Sequence, residues 1–355
     1  MKEIELEISF VTPAFLGNAS QNSQWRTPPF KTLLRQWWRV VKAKDVDYDY
    51  KKLLIAENEL FGTAADGCKS TRSALRLKLD NWNNGKLSNV DQGTKVKHPE
   101  VKDKKGNVVP IGSQLYLGYG PVTTRGIKDG NNAIAPLQES ATLWLGFPDR
   151  FFEEIKQTIQ LINWFGTLGS RSRNGWGSIM IKQASNMELK PINQSNLMPF
   201  CRDLSACLQK DWAHAVGHVS NNPLLWQTNP KATWEEVMKD LAEIKIAFRT
   251  NFHFPHEKPP HSAPEKRHII AYPVTKHGLD RLGNNARLAN QIRFKVQKTE
   301  KDQYRALIVH LPCQAPERGF LDKLSSQNKS SFKKFAQEVW PAIHQILDQN
   351  SERLK

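Results

Sequence analysis

The chain opens on a strict alternation. Ile4, Leu6, Ile8 and Phe10 are apolar, and Glu3, Glu5, Glu7 and Ser9 between them are polar, which is the two-residue period of a strand with one buried and one wet face. After the turn-like run Thr12-Pro13-Ala14-Phe15-Leu16-Gly17 and a polar loop, the period changes. Phe30, Leu34, Trp37 and Val41 recur at helical spacing and predict a helix over residues 29–42, with Pro29 suited to its first turn. Residues 74–79, 114–119 and 141–147 read as strands. Asp149 then caps a helix whose Phe152, Ile155, Ile159, Ile162 and Phe165 share one face, and after a run of glycines a strand follows at 178–181.

The second half begins with a helical segment over 200–212. A second helix opens on a capping box, Thr233 with Glu236, and buries Val237, Leu241 and Ile244. Beyond a proline- and histidine-rich loop, Ile292, Phe294 and Val296 alternate with Arg293, Lys295 and Gln297, and Leu307, Val309 and Leu311 answer them across a hairpin. A last helix from about Ser331 carries Phe332, Phe335, Val339, Ile343 and Ile346, with Pro341 expected to kink it. Strand, helix, strands, helix, strand is the order of a ferredoxin-like sandwich with insertions. The predicted architecture is α+β: tandem ferredoxin-like (RRM-like) domains with insertions, over 1–185 and 198–355, joined by the polar stretch 184–197.

Charge adds a partner to this outline. The 355 residues hold 51 Lys and Arg against 35 Asp and Glu, a net charge of +16, the electrostatic footprint of a nucleic-acid binder. Anionic membranes and acidic proteins attract the same charge. No basic-then-apolar leader and no long apolar run is read in the sequence, so a cytoplasmic location is expected. Cys68, Cys201, Cys207 and Cys313 form no Cys-x-x-Cys pair and are assigned no role.

Candidate chemistry concentrates in two places. In Gly169-Ser170-Arg171-Ser172-Arg173-Asn174-Gly175-Trp176-Gly177-Ser178, glycines free the backbone to approach a ligand, Arg171 and Arg173 supply forked donors, and Trp176 offers either a stacking face or a core plug. A glycine-rich turn with two solvated arginines is the plainer reading. A nucleoside-triphosphate loop is excluded, because that motif runs from strand to helix and carries Lys-Ser or Lys-Thr after its last glycine. The second place is Arg26, Lys31, Arg35, Trp38, Arg39 and Lys42. Positions 31, 35, 38 and 42 share a helical stripe, which leaves Trp37 to the core and makes Trp38 the stacking candidate. The 169–177 loop is expected beside the first half of this helix.

The Thr-Pro-x-Phe-Leu-Gly turn, the helix Lys31-Thr32-Leu33-Leu34-Arg35-Gln36-Trp37-Trp38-Arg39, the later Leu60-Phe61-Gly62 and the GSRSRNGWGS loop together resemble the RAMP superfamily. Within it they resemble the first-numbered subunit of the Cmr (type III-B) CRISPR effector. That resemblance implies a non-catalytic RNA-binding structural subunit needing no cofactor. It implies guide RNA and complementary target RNA as ligands near the guide's 3′ end, and other Cmr-type subunits, including the repeated backbone subunit, as neighbours. Lys31, Arg35, Arg39 and the 169–177 loop are the RNA-facing set it carries over. Relatives carry Gly where this chain has Thr32. The rival reading is a RAMP-family endoribonuclease that matures guide RNA. Metal-free cleavage needs a base and an acid beside the scissile 2′-hydroxyl, and His98 is the nearest candidate. His214 and His218 are spaced i, i+4 without a third ligand, and His253, His256 and His261 in the proline-rich loop make no clearer ligand set, so no metal site is expected.

Overall fold

The computed structural model describes residues 1–64, 70–254, 260–283 and 285–354; Cys68 and His256 lie outside them. The alternating opening segment is strand β1 (Lys2–Phe10), and Thr27–Lys42 is helix α1, with prolines in its first turn and Phe30, Leu33, Leu34, Trp37 and Val41 buried. Helix α2 (Tyr50–Phe61), strand β2 (Arg76–Leu79), the short helix α3 (Ser113–Gly118), strand β3 (Ser140–Phe147), helix α4 (Phe152–Phe165) and strand β4 (Ile179–Ala184) follow. The four strands form one antiparallel sheet in the order β2-β3-β1-β4. α1 and α4 pack together over its apolar face, with Trp37 stacked 5.5 Å from Phe165.

A connecting segment without helix or strand, residues 185–193, leads onward, pinned where Gln160 and the Trp164 indole donate to the Lys190 carbonyl. The second four-stranded sheet contains β5 (Leu225–Gln227), β6 (Ile292–Lys298), β7 (Tyr304–His310) and β8 (Glu352–Arg353) in the order β6-β7-β5-β8, all pairs antiparallel. Helices α5 (Trp234–Thr250) and α6 (Ser326–Asn350) pack with this sheet. The predicted capping box of Thr233 and Glu236 opens α5.

Several sequence expectations give way. Residues 114–119 are helix α3, not a strand; Leu115 and Leu117 alternate, but both are buried along with Ser113, Gln114 and Gly118 as α3 packs on α5. The segment 200–212 is not one helix. It holds the strand Cys201–Asp203 and a single turn, Leu204–Cys207, because the Asp203 carboxylate captures the amides of Ser205 and Ala206 and restarts the backbone. Asp149 caps no helix: it begins a 3₁₀ turn, and its carboxylate pairs with the Met1 amine at 3.0 Å. α6 starts at Ser326 on a Ser325 cap and continues through Pro341.

The halves are docked along one line. β6 uses β7 on one edge and the 173–178 segment on the other: the Phe294 amide donates to the Arg173 carbonyl (3.0 Å), the Val296 amide to Ser178 Oγ (2.9 Å), and Asn174 bridges Phe294 in parallel register. An edge strand is thereby covered. Lys295, expected on a wet face, lies buried, and its ammonium reaches the Ile162 and Asn163 carbonyls at the end of α4 (3.2 and 2.5 Å). Cations are favoured there because the carbonyls of a helix's last turn carry the negative end of its dipole. The insertion joins in: Arg267 of the short helix Lys266–Ile270 makes a two-pronged ion pair with Glu100.

Candidate nucleic-acid interface

The 169–177 loop is built by packing as much as by polarity. Trp176 is 0% exposed, its ring 5.2 Å from Phe15 and 6.2 Å from Trp234. It is the core plug and shows no face to a base. Gly177 takes φ +61°, and a Cβ there would sit 1.9 Å from the Leu168 carbonyl oxygen; a Cβ on Gly175 would press on Leu241 and Met238. These glycines admit neighbouring protein, not a ligand. The amides of Gly175 and Gly177 are also occupied, donating to the Ser172 and Pro13 carbonyls. Gly169 turns against the Phe15 carbonyl in the same way. Arg171 itself adopts the left-handed conformation, φ 58°.

What the loop exposes is Arg171, Ser172, Arg173 and Asn174, and they line a cleft of about 930 Å³ between the halves. The second half contributes Lys245 and Arg249 on α5, Arg287, and Arg293 on β6. Tyr116, Tyr119 and Trp37 add rings, Tyr119 being 70% exposed. Among the described residues no Asp or Glu lines it. Asn174 is a hinge of this arrangement: its Nδ2 donates to the Leu117 carbonyl (2.8 Å) and its Oδ1 accepts from Lys245 Nζ (2.7 Å). Burial, with Arg249 and Arg171 adding repulsion, pulls the Lys245 ammonium down to about 7.

The α1 stripe faces elsewhere. Lys31 donates to Ser73 Oγ at 3.0 Å, and Arg35 and Arg39 share Glu57 of α2. Trp38, the sequence's stacking candidate, is 0% exposed and donates its indole N–H to Glu154, which also takes Lys42. An indole pairs when it is buried, and here the pair removes Trp38 from any ligand. Arg26 spans to the Gly17 carbonyl at 2.5 Å. The loop shares its cleft with Gln36 and Trp37, past the midpoint of α1, and with no residue of the helix's first half.

Sequence reasoning missed Lys245, Arg249, Arg287 and Arg293. On α5 the first two are spaced i, i+4 on what looks like a solvated face, and Arg293 looks like the wet side of a hairpin. His98, buried in the insertion, lies edge-on to the Tyr116 ring at 5.3 Å, and burial lowers its pKa. His214 is buried against Trp212. Among the described residues no group of three or more His, Cys, Asp or Glu is placed to hold a metal ion, and no helix is long and apolar enough to cross a membrane.

Two packed α+β units meet at a cleft whose described lining carries cations and no carboxylate, an arrangement able to hold a polyanion. The particular resemblance follows from comparison: the RAMP superfamily model matches residues 7–180, which end within β4. The fold is similar to a chain in the cryo-EM structure of the type III-B Cmr-beta complex bound to cognate target RNA, with 12% identity, a TM-score of 0.50, and coverage of 95% of this chain and 99% of that one. Cmr1 from Pyrococcus furiosus, in its apo form, aligns at 16% identity with a TM-score of 0.49, covering 95% and 97%. No curated protein matches the sequence. The RAMP resemblance read from the motifs is borne out over residues 7–180, and the fold likeness extends to a chain of the Cmr-beta complex.

Proposed function

We propose that the chain is a non-catalytic, RNA-gripping subunit of a type III-B CRISPR effector ribonucleoprotein in the cytoplasm, and that RNA lies in the cleft between its halves. The observation that carries this is the gathering of Arg171, Arg173, Lys245, Arg249 and Arg293 along one cleft, interleaved with tyrosines and with no carboxylate among the described lining residues. Cations track a phosphate backbone, and exposed rings stack on bases of any sequence. Both halves follow one ferredoxin-like plan in this reading, with domains 1–185 and 198–355. The shared order of strands and helices, and the same sheet order in each, support it. Target RNA and sister subunits are the partners suggested by the Cmr-beta neighbour, and guide RNA and the repeated backbone subunit by the motif resemblance.

The test is a salt titration of the full chain on single-stranded RNA. Each neutralised phosphate contributes about −0.7 to the log–log slope, so changing Arg171 and Arg173 together to Ala should flatten it by about 1.4. An unchanged slope would show that the loop arginines do not meet phosphate. The RNA should also be recovered intact, with magnesium or with chelator. Site-specific cutting that disappears in His98→Ala would favour the ribonuclease reading instead.

A further inference from the structure

Within that cleft, two arginines are brought together by the docking of the halves. The parallel bridge between Asn174 and Phe294 sets Arg173 alongside Arg293, and residues side by side on paired strands point to one side. Both line the cleft. Arg293 lies with its guanidinium 5.8 Å from the Trp37 ring centroid, and its Nε is buried without a hydrogen-bond partner. No carboxylate of the cleft wall answers either arginine. Cys313, the acidic group beside them, is pushed up to about 11 by burial and stays a neutral thiol. Burial and the facing Arg173 together draw Arg293 down to about 9.

Arg173 is exposed and Arg293 half-buried with only its Nε shut off from solvent, and two like charges set side by side on a partly desolvated wall repel unless an anion completes them. Guanidinium forks match phosphoryl oxygens in shape as well as charge, and the ring of Trp37 holds the Arg293 plane. We propose that Arg173 and Arg293 form a dedicated phosphate subsite, a fixed point that sets where RNA sits in the cleft. This rests on the reading of the cleft as an RNA site. The phosphate is either an internal diester or a terminal monoester; the chemistry of recognition is the same.

The experiment compares wild type, Arg293→Gln, Arg293→Lys and Arg171→Gln full-length protein on short oligouridylates with hydroxyl or phosphate ends, alongside melting of the free protein. Arg293→Gln should bind roughly tenfold more weakly, the scale of a charged hydrogen bond, with a slope shallower by about 0.7. It should melt no lower than wild type, because it removes the like-charge repulsion between the half-buried Arg293 and Arg173. A phosphate-end advantage present in wild type and absent in Arg293→Gln identifies a terminal monoester; equal binding of both oligomers with the same tenfold loss identifies a diester. If Arg293→Gln melts well below wild type, Arg293→Lys decides: native melting with weakened binding sustains the fork, and unchanged binding overturns it. Arg293→Gln binding like wild type while Arg171→Gln is weakened ends the subsite but leaves the cleft. Wild-type binding by both variants removes the cleft reading as well.

Discussion

Lys245 shows how one buried group reports on both stability and binding. Its ammonium is held by Asn174 Oδ1 and lies 5.6 Å from the Tyr116 ring, with burial lowering its pKa to about 7. Lys295 is drawn to about 7 by burial alone. In the unfolded chain both titrate near 10.4. Folding therefore releases their protons between those values, and the stability of the free protein should rise with pH from about 7 toward 10, by about 1.4 kcal/mol per unit for each group at most. RNA affinity should move the other way. Below about 7 Lys245 is charged and adds to the cleft, and a bound phosphate favours that form. Raising the pH from about 6 to about 8.5 should weaken binding, and Lys245→Met should flatten the profile. Binding isotherms over that range check it; a wild-type affinity indifferent to pH would remove Lys245 from the RNA contact.

α1 illustrates what an element's pattern reveals and what it conceals. Its apolar stripe is legible because burial of Phe30, Leu34, Trp37 and Val41 needs only helical periodicity. The destination of its cations is not, because Glu57, their partner, is set on α2 by tertiary packing. Glu57 is buried while Arg39 is 38% exposed. Arg39→Ala should then cost roughly 1–2 kcal/mol, below the loss for a fully buried pair because solvent and Arg35 both compensate. The same variant should leave the RNA salt slope unchanged, since α1 turns Gln36 and Trp37 to the cleft. Denaturant melts paired with the salt titration separate the two effects; a flattened slope would return the stripe to the RNA surface. Misread elements share a cause. At 114–119 and 200–212 local pattern met short polar side chains and all-round burial, where periodicity carries no signal.

At the scale of the whole molecule, the cleft exists only because the halves share cores. Val11, Phe15, Val90 and Trp176 from the first half cluster with Leu241, Phe294 and Trp340 from the second. The motif in the loop is visible in the sequence, but the four cations it meets from the second half, spread from 245 to 293, are gathered by that docking and cannot be read from spacing. Anything that loosens the second half should open the cleft. Its sensitive point is a histidine pair: His310 Nδ1 and His344 Nε2 lie 2.9 Å apart, buried between Trp340 and Trp226. Burial lowers His344 to about 3, and holds His310 well below its ordinary value with His344 adding repulsion. His268, buried beside Phe254 and His277, falls to about 4 for the same first reason. An unfolded chain protonates each near 6.5. The stability these neutral rings contribute is complete above that value and is lost progressively as pH falls toward about 3, by up to about 1.4 kcal/mol per unit for each. Melting midpoints should therefore drop steeply from about pH 6.5 to about pH 4, even though the carboxylates are still mostly ionised over the upper part of that range. His344→Gln keeps a hydrogen-bonding partner for His310 and cannot take the charge, so its acid profile should be shallower. Midpoints of wild type and variant that fall in parallel would show that the pair does not set the acid limit.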